Sequence, residues 1–394
     1  MHEGLSSRPV VLAFTRWYLP GYQAGGPIRT LSNMVDRLGD QLDFRIVTQD
    51  RDLNDQAAYP GIDATDWNPQ GHSHVRYLAR PNITLRSLVR IIREVTPDVL
   101  YLNSFFDPLL TQRVLLLRRL GLLADIPVVL APRGEFSAGA IALKSWKKNQ
   151  YLRASRWLGL YDGLIWQASS DLERHDILRW LPQIDSRSVK LASNLAATAV
   201  PVTAGASARK EGDPLKVCFL SRISPMKNLD FALTALGRTR ADVILTIHGP
   251  REDQAYWATC ETLCTSLPDN VQVRYSGEVE YQNVVKTLSS HDLFFFPTRG
   301  ENYGHVIQEA LAAGLPVLIS DQTPWRDLEK NGVGWALPLD EPAAFARIID
   351  AVAAWPIDHA QTIRERANTY ARNKANDSDV VRANLELFRR VLKR

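Results

Sequence analysis

Two carboxylates, Glu301 and Glu309, are spaced so that they could hold a polar ligand, with seven residues between them. Glu309 is flanked by apolar residues, where an unpaired charge would be costly, so it needs a partner rich in hydrogen-bond donors, such as two sugar hydroxyls. The amides of residues 302–305 begin a predicted helix and favour an anion such as a phosphate. Together these features predict a nucleotide-sugar site. The alternative is a capping Glu followed by a solvated helical Glu.

A strand, a turn and a helix must position these carboxylates. Residues 294–297 form a short apolar run, which is typical of a buried parallel strand. A polar turn containing Gly304 follows, and the next residues have the apolar stripe of a helix that ends near Gly314. Residues 316–319 predict the next strand. Such a unit belongs to a parallel sheet, and parallel sheets bind ligands beyond the carboxyl ends of their strands.

The length and composition limit the class of protein. With 394 residues, 45% hydrophobic and 23% charged, the chain is expected to form two domains of a globular protein. No apolar run is long enough for a membrane-spanning helix, and no secretion signal is recognised. The net charge of +4 is too small to indicate a nucleic-acid-binding surface. The three cysteines give no disulfide framework, so we expect a reducing, cytoplasmic compartment.

Strand and helix patterns alternate along the whole chain, which predicts an α/β fold of doubly wound parallel sheets. The small, polar and Pro/Gly-containing segment 196–214 is the predicted linker between a domain at 1–195 and another at 215–375, and 376–394 is a last helix. Residues 53–75 are polar and are interpreted as an irregular excursion. Asp50 and Asp52 have the spacing of metal ligands, but two carboxylates in a polar loop are usually solvated, so no metal site is predicted there.

Several motifs resemble a known family. The most specific is Glu301–Pro316. It is supported by Phe219–Asn228, by Gly25-Gly26 before Pro27, and by Ser169–Glu173. The chain resembles the retaining nucleotide-sugar glycosyltransferases of glycosyltransferase family 4. That resemblance implies the GT-B architecture, in which two facing Rossmann-like domains enclose a cleft and the last helix crosses back to the N-terminal domain.

The resemblance also implies roles for the matching residues. Arg222 and Lys227 would hold the donor diphosphate, Glu309 would accept hydrogen bonds from the ribose, and Glu301 would contact the donor sugar. Arg133 would replace a family histidine, giving a catalytic set of Arg222, Lys227, Glu301 and Arg133. The backbone expected against the phosphates belongs to Gly25, Gly26, Asn302, Tyr303 and Gly304. The implied donor is a UDP-sugar, the implied transfer retains anomeric configuration, and no metal is required.

Some residues depart from the family pattern and leave alternatives open. Pro132–Glu135 stands where many relatives have the histidine, Asn194-Leu195 replaces Asn-Gly, and residues 321–325 are not a Gly-rich, Glu-containing loop. A nucleotide-sugar epimerase or hydrolase would need an acid/base pair, for which Glu135, His248 and His305 are candidates. A nucleotide-sugar-binding module without catalysis is a further alternative, although Arg222, Lys227, Glu301 and Glu309 are all present.

One basic stretch predicts the location of the acceptor. Residues 144–157 hold five cations, three aromatic residues and no carboxylate. A basic helix with aromatic residues can lie on an anionic bilayer. We therefore expect a saccharide or lipid-linked acceptor in surface polysaccharide or glycolipid assembly, with this helix on the inner face of the cytoplasmic membrane. The alternative is a solvated helix whose Trp146 and Trp157 pack inward.

Overall fold

Buried apolar strands build two separate sheets in the computed structural model, which describes residues 8–123, 125–137, 141, 145–197, 209–210 and 212–392. The chain divides into two units. The first contains Met1–Ala197 and Asp377–Arg394, and the second contains Thr198–Asn376. Most of the predicted linker, residues 198–208 and 211, lies outside the described residues, as does Lys144. Among the described residues, every helix is too short or too polar to cross a membrane.

The first unit carries a sheet of strands in the order β3-β4-β2-β1-β5-β6-β7-β8, with only β3 antiparallel to its neighbour. The strands are β1 (Val10–Phe14), β2 (Asp43–Gln49), β3 (Asn68–Gln70), β4 (Ser73–Leu78), β5 (Val99–Leu102), β6 (Val128–Leu130), β7 (Ile165–Ala168) and β8 (Val189–Leu191). The described helices are α1 (Gly26–Leu38), α2 (Leu85–Val95), α3 (Thr111–Arg119), α4 (Ser145–Trp157), α5 (Asp171–Trp180) and, from the end of the chain, α12 (Ser378–Leu392).

Both faces of this sheet are buried, because side chains alternate along a strand and helices cover the two sides. On β1, Leu12 and Phe14 join one apolar cluster, while Val11 and Ala13 join the other. Helix α12 packs on the second face. The ring of Phe388 lies edge-on to Phe44 with centroids 6.2 Å apart.

The second unit carries a parallel sheet in the order β11-β10-β9-β12-β13-β14. Its strands are β9 (Leu215–Leu220), β10 (Val243–His248), β11 (Val271–Tyr275), β12 (Leu293–Phe296), β13 (Val317–Ser320) and β14 (Gly334–Leu337). Its described helices are α6 (Leu229–Leu236), α7 (Gln254–Thr265), α8 (Val284–Ser289), α9 (His305–Ala312), α10 (Pro342–Ala353) and α11 (Ile357–Ala375).

Part of the segment interpreted as irregular is regular structure. Residues 68–70 form β3, and β4 begins at Ser73, so the interpretation of 53–75 as wholly irregular is wrong. The sheet tolerates this polar sequence because β4 needs only Val75, Tyr77 and a few other buried positions. Helix α11 was also not predicted, and it packs beside α9 through Gln308, whose side chain donates to the Ala371 carbonyl at 2.8 Å.

Candidate functional site

The residues of the second unit expected to bind a ligand follow two neighbouring strands. Arg222 and Lys227 lie in the loop between β9 and α6, and Glu301 lies in the loop between β12 and α9. Because β9 and β12 are adjacent and parallel, with Cys218 opposite Phe294, both loops emerge at the same edge of the sheet. This is the carboxyl edge, where parallel sheets bind ligands.

The two loops are joined by a set of hydrogen bonds. The Met226 carbonyl accepts from the backbone N–H of Arg299 at 2.9 Å and from the Thr298 hydroxyl at 3.1 Å. Asn228 adopts a left-handed conformation with φ 63°. Its amide donates to the Pro297 carbonyl at 2.8 Å, and its side-chain oxygen accepts from Arg299 Nε at 2.9 Å. The loops therefore form one rigid support, which favours a binding site with fixed charges.

Lys227 and Glu301 form an ion pair within this support. The Lys227 ammonium donates to Glu301 Oε1, and each side chain is only 16% exposed. The Lys227 ammonium also lies 5.6 Å from the centroid of the Phe296 ring. The backbone N–H of Glu301 donates to the Gln322 carbonyl at 3.1 Å, which ties the carboxylate to the loop after β13. Lys227 and Glu301 are expected to bind different parts of one ligand, and in this structure they are paired with each other.

Arg222 is placed differently. Its Nη1 donates to Glu252 Oε1 at 2.8 Å, and both side chains are 38% exposed. The backbone beneath it is closely packed, because a Cβ built at Gly249 would lie 1.9 Å from the Ser221 carbonyl oxygen. Glycine is therefore required at position 249, and the Arg222 loop is held against the end of β10.

The start of α9 presents backbone amides at the same edge of the sheet. Gly304 caps the helix with φ 79°, and a Cβ there would lie 2.7 Å from Ile307 Cδ1, so an L-residue would strain the turn. The indole of Trp325 fixes this turn by donating to the Tyr303 carbonyl at 2.6 Å. Burial, and then the Glu309 carboxylate, raise the pKa of Tyr303 above its ordinary value, which keeps the phenol neutral. Glu309 lies half-buried on α9.

Arg133 lies in the first unit, where its side chain is engaged by three oxygens. Nε donates to Asn103 Oδ1 at 2.7 Å, Nη1 donates to Asn194 Oδ1 at 2.5 Å, and Nη2 donates to the Tyr101 hydroxyl. Arg133 has φ 58°, a conformation that non-glycine residues rarely adopt.

The turn that follows Arg133 is held by the Ser169–Glu173 motif. Glu173 accepts from the backbone N–H of Gly134 at 2.6 Å and from that of Ser169 at 2.8 Å. The motif therefore fixes the Arg133 turn relative to the end of β7.

The glycines of the first loop begin α1. Gly25 is the N-terminal cap with φ 69°, and a Cβ built at Gly25 or Gly26 would meet no atom within 4 Å. The Asn103 amide donates to the Pro27 carbonyl at 3.3 Å, which links this helix start to the group around Arg133. Asp52 anchors the same loop by accepting from the backbone N–H groups of Tyr22 at 2.6 Å and Gln23 at 2.9 Å.

The acid/base candidates of the epimerase or hydrolase alternative are buried or make structural contacts. Glu135 accepts from the Ser104 hydroxyl at 2.8 Å and from the backbone N–H groups of Phe105 and Phe106 at 2.6 and 2.9 Å. Burial raises the pKa of Glu135, while the hydrogen bonds from these groups oppose the rise. His248 is buried beside His291, and His305 is buried with its ring 4.7 Å from that of Tyr303. These contacts weaken the alternative.

Sequence reasoning assigned no structural role to the polar partners that fix these groups: Tyr101, Asn103, Asn194, Asn228, Glu252 and Arg299. One signal was present. Asn103 follows β5 directly, as Arg222 and Glu301 follow their own strands closely, and polar residues at strand ends meet at one edge of a parallel sheet. The contacts of Arg133 with its partners join segments distant in sequence, so no local pattern predicts the contacts themselves.

Comparison with known proteins agrees with the fold. The Anabaena protein HepE, solved in complex with UDP-glucose, superposes with a TM-score of 0.71 at 17% identity, covering 98% of this chain and 100% of that one. The sucrose-phosphate synthase of Thermosynechococcus elongatus gives a TM-score of 0.72 at 16% identity, with the same shares of each chain. The expected fold class is thereby confirmed as two parallel-sheet α/β domains of the GT-B type.

Curated relatives match parts of the chain. A GDP-mannose-dependent alpha-mannosyltransferase of Corynebacterium glutamicum is 24% identical over 290 residues, which is 71% of this chain and 64% of the relative. A phosphatidyl-myo-inositol mannosyltransferase of Mycobacterium tuberculosis is 32% identical over 186 residues, covering 44% of this chain and 45% of the relative. The chain thus spans less than two thirds of these relatives. Residues 205–374, nearly the whole second unit, match the family model described as glycosyl transferases group 1.

Proposed function

We propose that this protein is a glycosyltransferase that moves a sugar from a nucleoside-diphosphate sugar to a glycan or lipid-linked acceptor, with retention of anomeric configuration. One observation carries the proposal. The Lys227–Glu301 pair lies at the carboxyl edge of the second sheet, where two joined loops also bring Arg222 and the amides at the start of α9. Cations and amides suit a diphosphate, and carboxylates suit sugar hydroxyls.

In this proposal the chemistry depends on charge that develops as the diphosphate leaves. Lys227 and Arg222 stabilise that charge, as fixed donors do in a preorganised site. Arrival of the donor replaces the Lys227–Glu301 contact by two new ones: the ammonium turns to a phosphate oxygen, and the carboxylate turns to the sugar hydroxyls. Glu309 accepts hydrogen bonds from the ribose. Arg133 acts as a positioning residue, since its nitrogens already hold Asn103, Asn194 and Tyr101.

Retention follows from the family resemblance, and the contacts that two candidate acids make, each within its own unit, support a particular mechanism. Glu301 is paired with Lys227, and Glu135 accepts three hydrogen bonds from its own unit. Neither is placed as a free nucleophile. We therefore infer that the acceptor attacks from the same face as the leaving group and that the diphosphate takes up the acceptor proton. The residues named for donor binding include no metal-ligand set, so transfer is proposed to be independent of added metal.

Two donor classes have specific support. The resemblance implies a UDP-sugar, and the structurally similar HepE was solved with UDP-glucose. Relatives that match by sequence are named as GDP-mannose-dependent. The donor is therefore proposed to be a UDP- or GDP-linked hexose.

An exposed aromatic stripe on α4 supports a membrane-bound acceptor. Trp146 is 71% exposed and Trp157 is 87% exposed, so the alternative that both pack inward is wrong. Positions 146, 150, 153 and 157 lie on one helical face, which the buried Leu152 does not share. Lys148 lies 4.9 Å above the Phe106 ring, whereas the side chain of Lys147 lies outside the described residues. We propose that this face rests on an anionic bilayer carrying the acceptor.

A donor screen tests the proposal. The full chain is incubated with UDP- and GDP-linked hexoses, with and without crude lipid acceptors, and the products are followed by NMR. Acceptor-dependent consumption of one donor supports a transferase. Equal consumption without acceptor supports the hydrolase alternative, and binding without consumption supports the non-catalytic binding module.

A further inference from the structure

A second cluster of chemically competent side chains lies inside the second unit. Cys218, His248 and His291 are all buried, and the sulfur and one nitrogen of each ring lie within 4.8 Å of one another. Cys218 is on β9 opposite Thr246 of β10, so His248, two residues further along β10, points to the same face of the sheet. His291 follows α8 and completes the cluster from outside the two strands.

His291 is held in a tautomer that leaves one ring nitrogen able to bind a metal, and His248 makes no hydrogen bond that would oppose binding. The Nδ1 of His291 lies 2.9 Å from the Thr287 carbonyl, which can only accept, so Nδ1 carries the proton and Nε2 keeps its lone pair. Metal-bound histidines commonly donate their other N–H to a carbonyl in this way. His248 is 7% exposed, and among the described residues neither of its ring nitrogens has a hydrogen-bond partner. A buried imidazole without partners is costly, and it needs an explanation.

We propose that Cys218, His248 and His291 supply three ligands of a buried structural Zn²⁺ site, and that a water molecule fills the fourth position. A thiolate and two neutral imidazoles are ligands that zinc prefers, with Zn–S about 2.3 Å and Zn–N about 2.0 Å. Those lengths place tetrahedral ligand atoms about 3.5 Å apart, so loading draws the cluster inward by about an ångström. Zinc binds the thiolate form of cysteine, so zinc uptake breaks the Cys218 S–H bond, forms the Zn–S bond and releases one proton to solvent.

The position of the cluster gives the metal a structural role. The His248 carbonyl accepts from the backbone N–H of Ser221 at 3.0 Å, and Gly249 packs against Ser221. Ser221 directly precedes Arg222. A metal that joins β9, β10 and the start of β12 therefore fixes the base of the loop that carries Arg222, without touching the donor.

Metal content tests the inference independently of sugar transfer. The full chain is stripped with a chelator, incubated with Zn²⁺ or with Mg²⁺, and analysed for bound metal. We expect one Zn²⁺ per chain and no retained Mg²⁺. Cys218→Ser and His248→Gln should each weaken Zn²⁺ binding at least tenfold. Cys260→Ser is the matched control, because Cys260 is also 0% exposed but lies outside the cluster, and it should bind Zn²⁺ as the wild type does.

Cobalt substitution gives a second readout. The Co²⁺-loaded wild type should show a thiolate-to-cobalt charge-transfer band that Cys218→Ser lacks. Circular dichroism shows whether Cys218→Ser and His248→Gln fold. If either does not, the presence of this band in both the wild type and Cys260→Ser still tests whether the cluster binds metal. Failure of the wild type to retain Zn²⁺, or Co²⁺ binding without a thiolate band, would overturn the proposal.

Discussion

Substitutions of Lys227 and of Glu301 should change nucleotide affinity in opposite directions, because the two side chains are paired with each other in the structure. Lys227→Ala removes a charge-assisted hydrogen bond to the diphosphate, worth about 1.5–3 kcal/mol, so the Kd for the nucleoside diphosphate should rise roughly 10- to 150-fold. Glu301→Gln removes the carboxylate that competes for the ammonium. Both side chains are 16% exposed, so the contact is weakly screened. The contact is worth about 1 kcal/mol, so its loss should tighten nucleoside-diphosphate binding about fivefold.

For a ligand that carries the donor sugar, Glu301→Gln should have the opposite effect. Because Glu301 is proposed to bind sugar hydroxyls, Glu301→Gln should lose the extra affinity that the sugar gives over the nucleotide alone. Calorimetry with UDP, GDP and their sugars measures both quantities. Arg347→Ala is the matched control, since Arg347 forms an exposed pair with Glu341 at 3.0 Å in the same unit, and it should change neither. Normal nucleotide binding by Lys227→Ala, or weakening by Glu301→Gln as large as that by Lys227→Ala, would show that the two side chains do not compete as proposed.

Four further predictions concern the turn, the stereochemistry, the metal and the membrane. Gly304→Ala should lower donor affinity and the melting temperature more than Gly277→Ala does, because both glycines have positive φ but only Gly304 lacks room for a Cβ; calorimetry and thermal unfolding compare them. The product should keep the anomeric configuration of the donor, and an inverted product by NMR would exclude same-face attack. Transfer rates should be equal with and without added Mg²⁺ or Mn²⁺, and a strict requirement for either would contradict metal independence. Trp146→Ser/Trp157→Ser should reduce co-sedimentation with anionic vesicles while the exposed Tyr281→Ser does not; vesicle binding unchanged by the double variant would leave a soluble acceptor as the better proposal.

The sequence predicted elements well where burial dominates. Strand β12 occupies Leu293–Phe296, close to the predicted 294–297, because a strand buried on both faces is a continuous apolar run. Helix α11 was missed because its buried positions are Ile363 and the small residues Ala367, Ala371 and Ala375. Such a narrow, alanine-rich stripe gives little apolar contrast against charged neighbours.

Side-chain partners were harder to predict than elements. Lys227 and Glu301 are separated by 74 residues, and their contact depends on how Asn228 and Thr298 join the two loops. The spacing of the residues predicted a ligand for each but not the pair itself. The orientation of Trp146 and Trp157 was likewise open, since a helix with aromatic and basic residues can turn either face to the core.

The second unit is proposed to bind a nucleoside-diphosphate sugar for transfer. The most direct measurement is NMR of the wild type and Lys227→Ala with UDP- and GDP-linked hexoses and a lipid acceptor extract. The wild type should consume one of these donors only when acceptor is present and form a product of unchanged anomeric configuration, while Lys227→Ala should be slower at equal donor concentration. A wild-type protein that neither binds nor consumes any of these donors would overturn the proposed function.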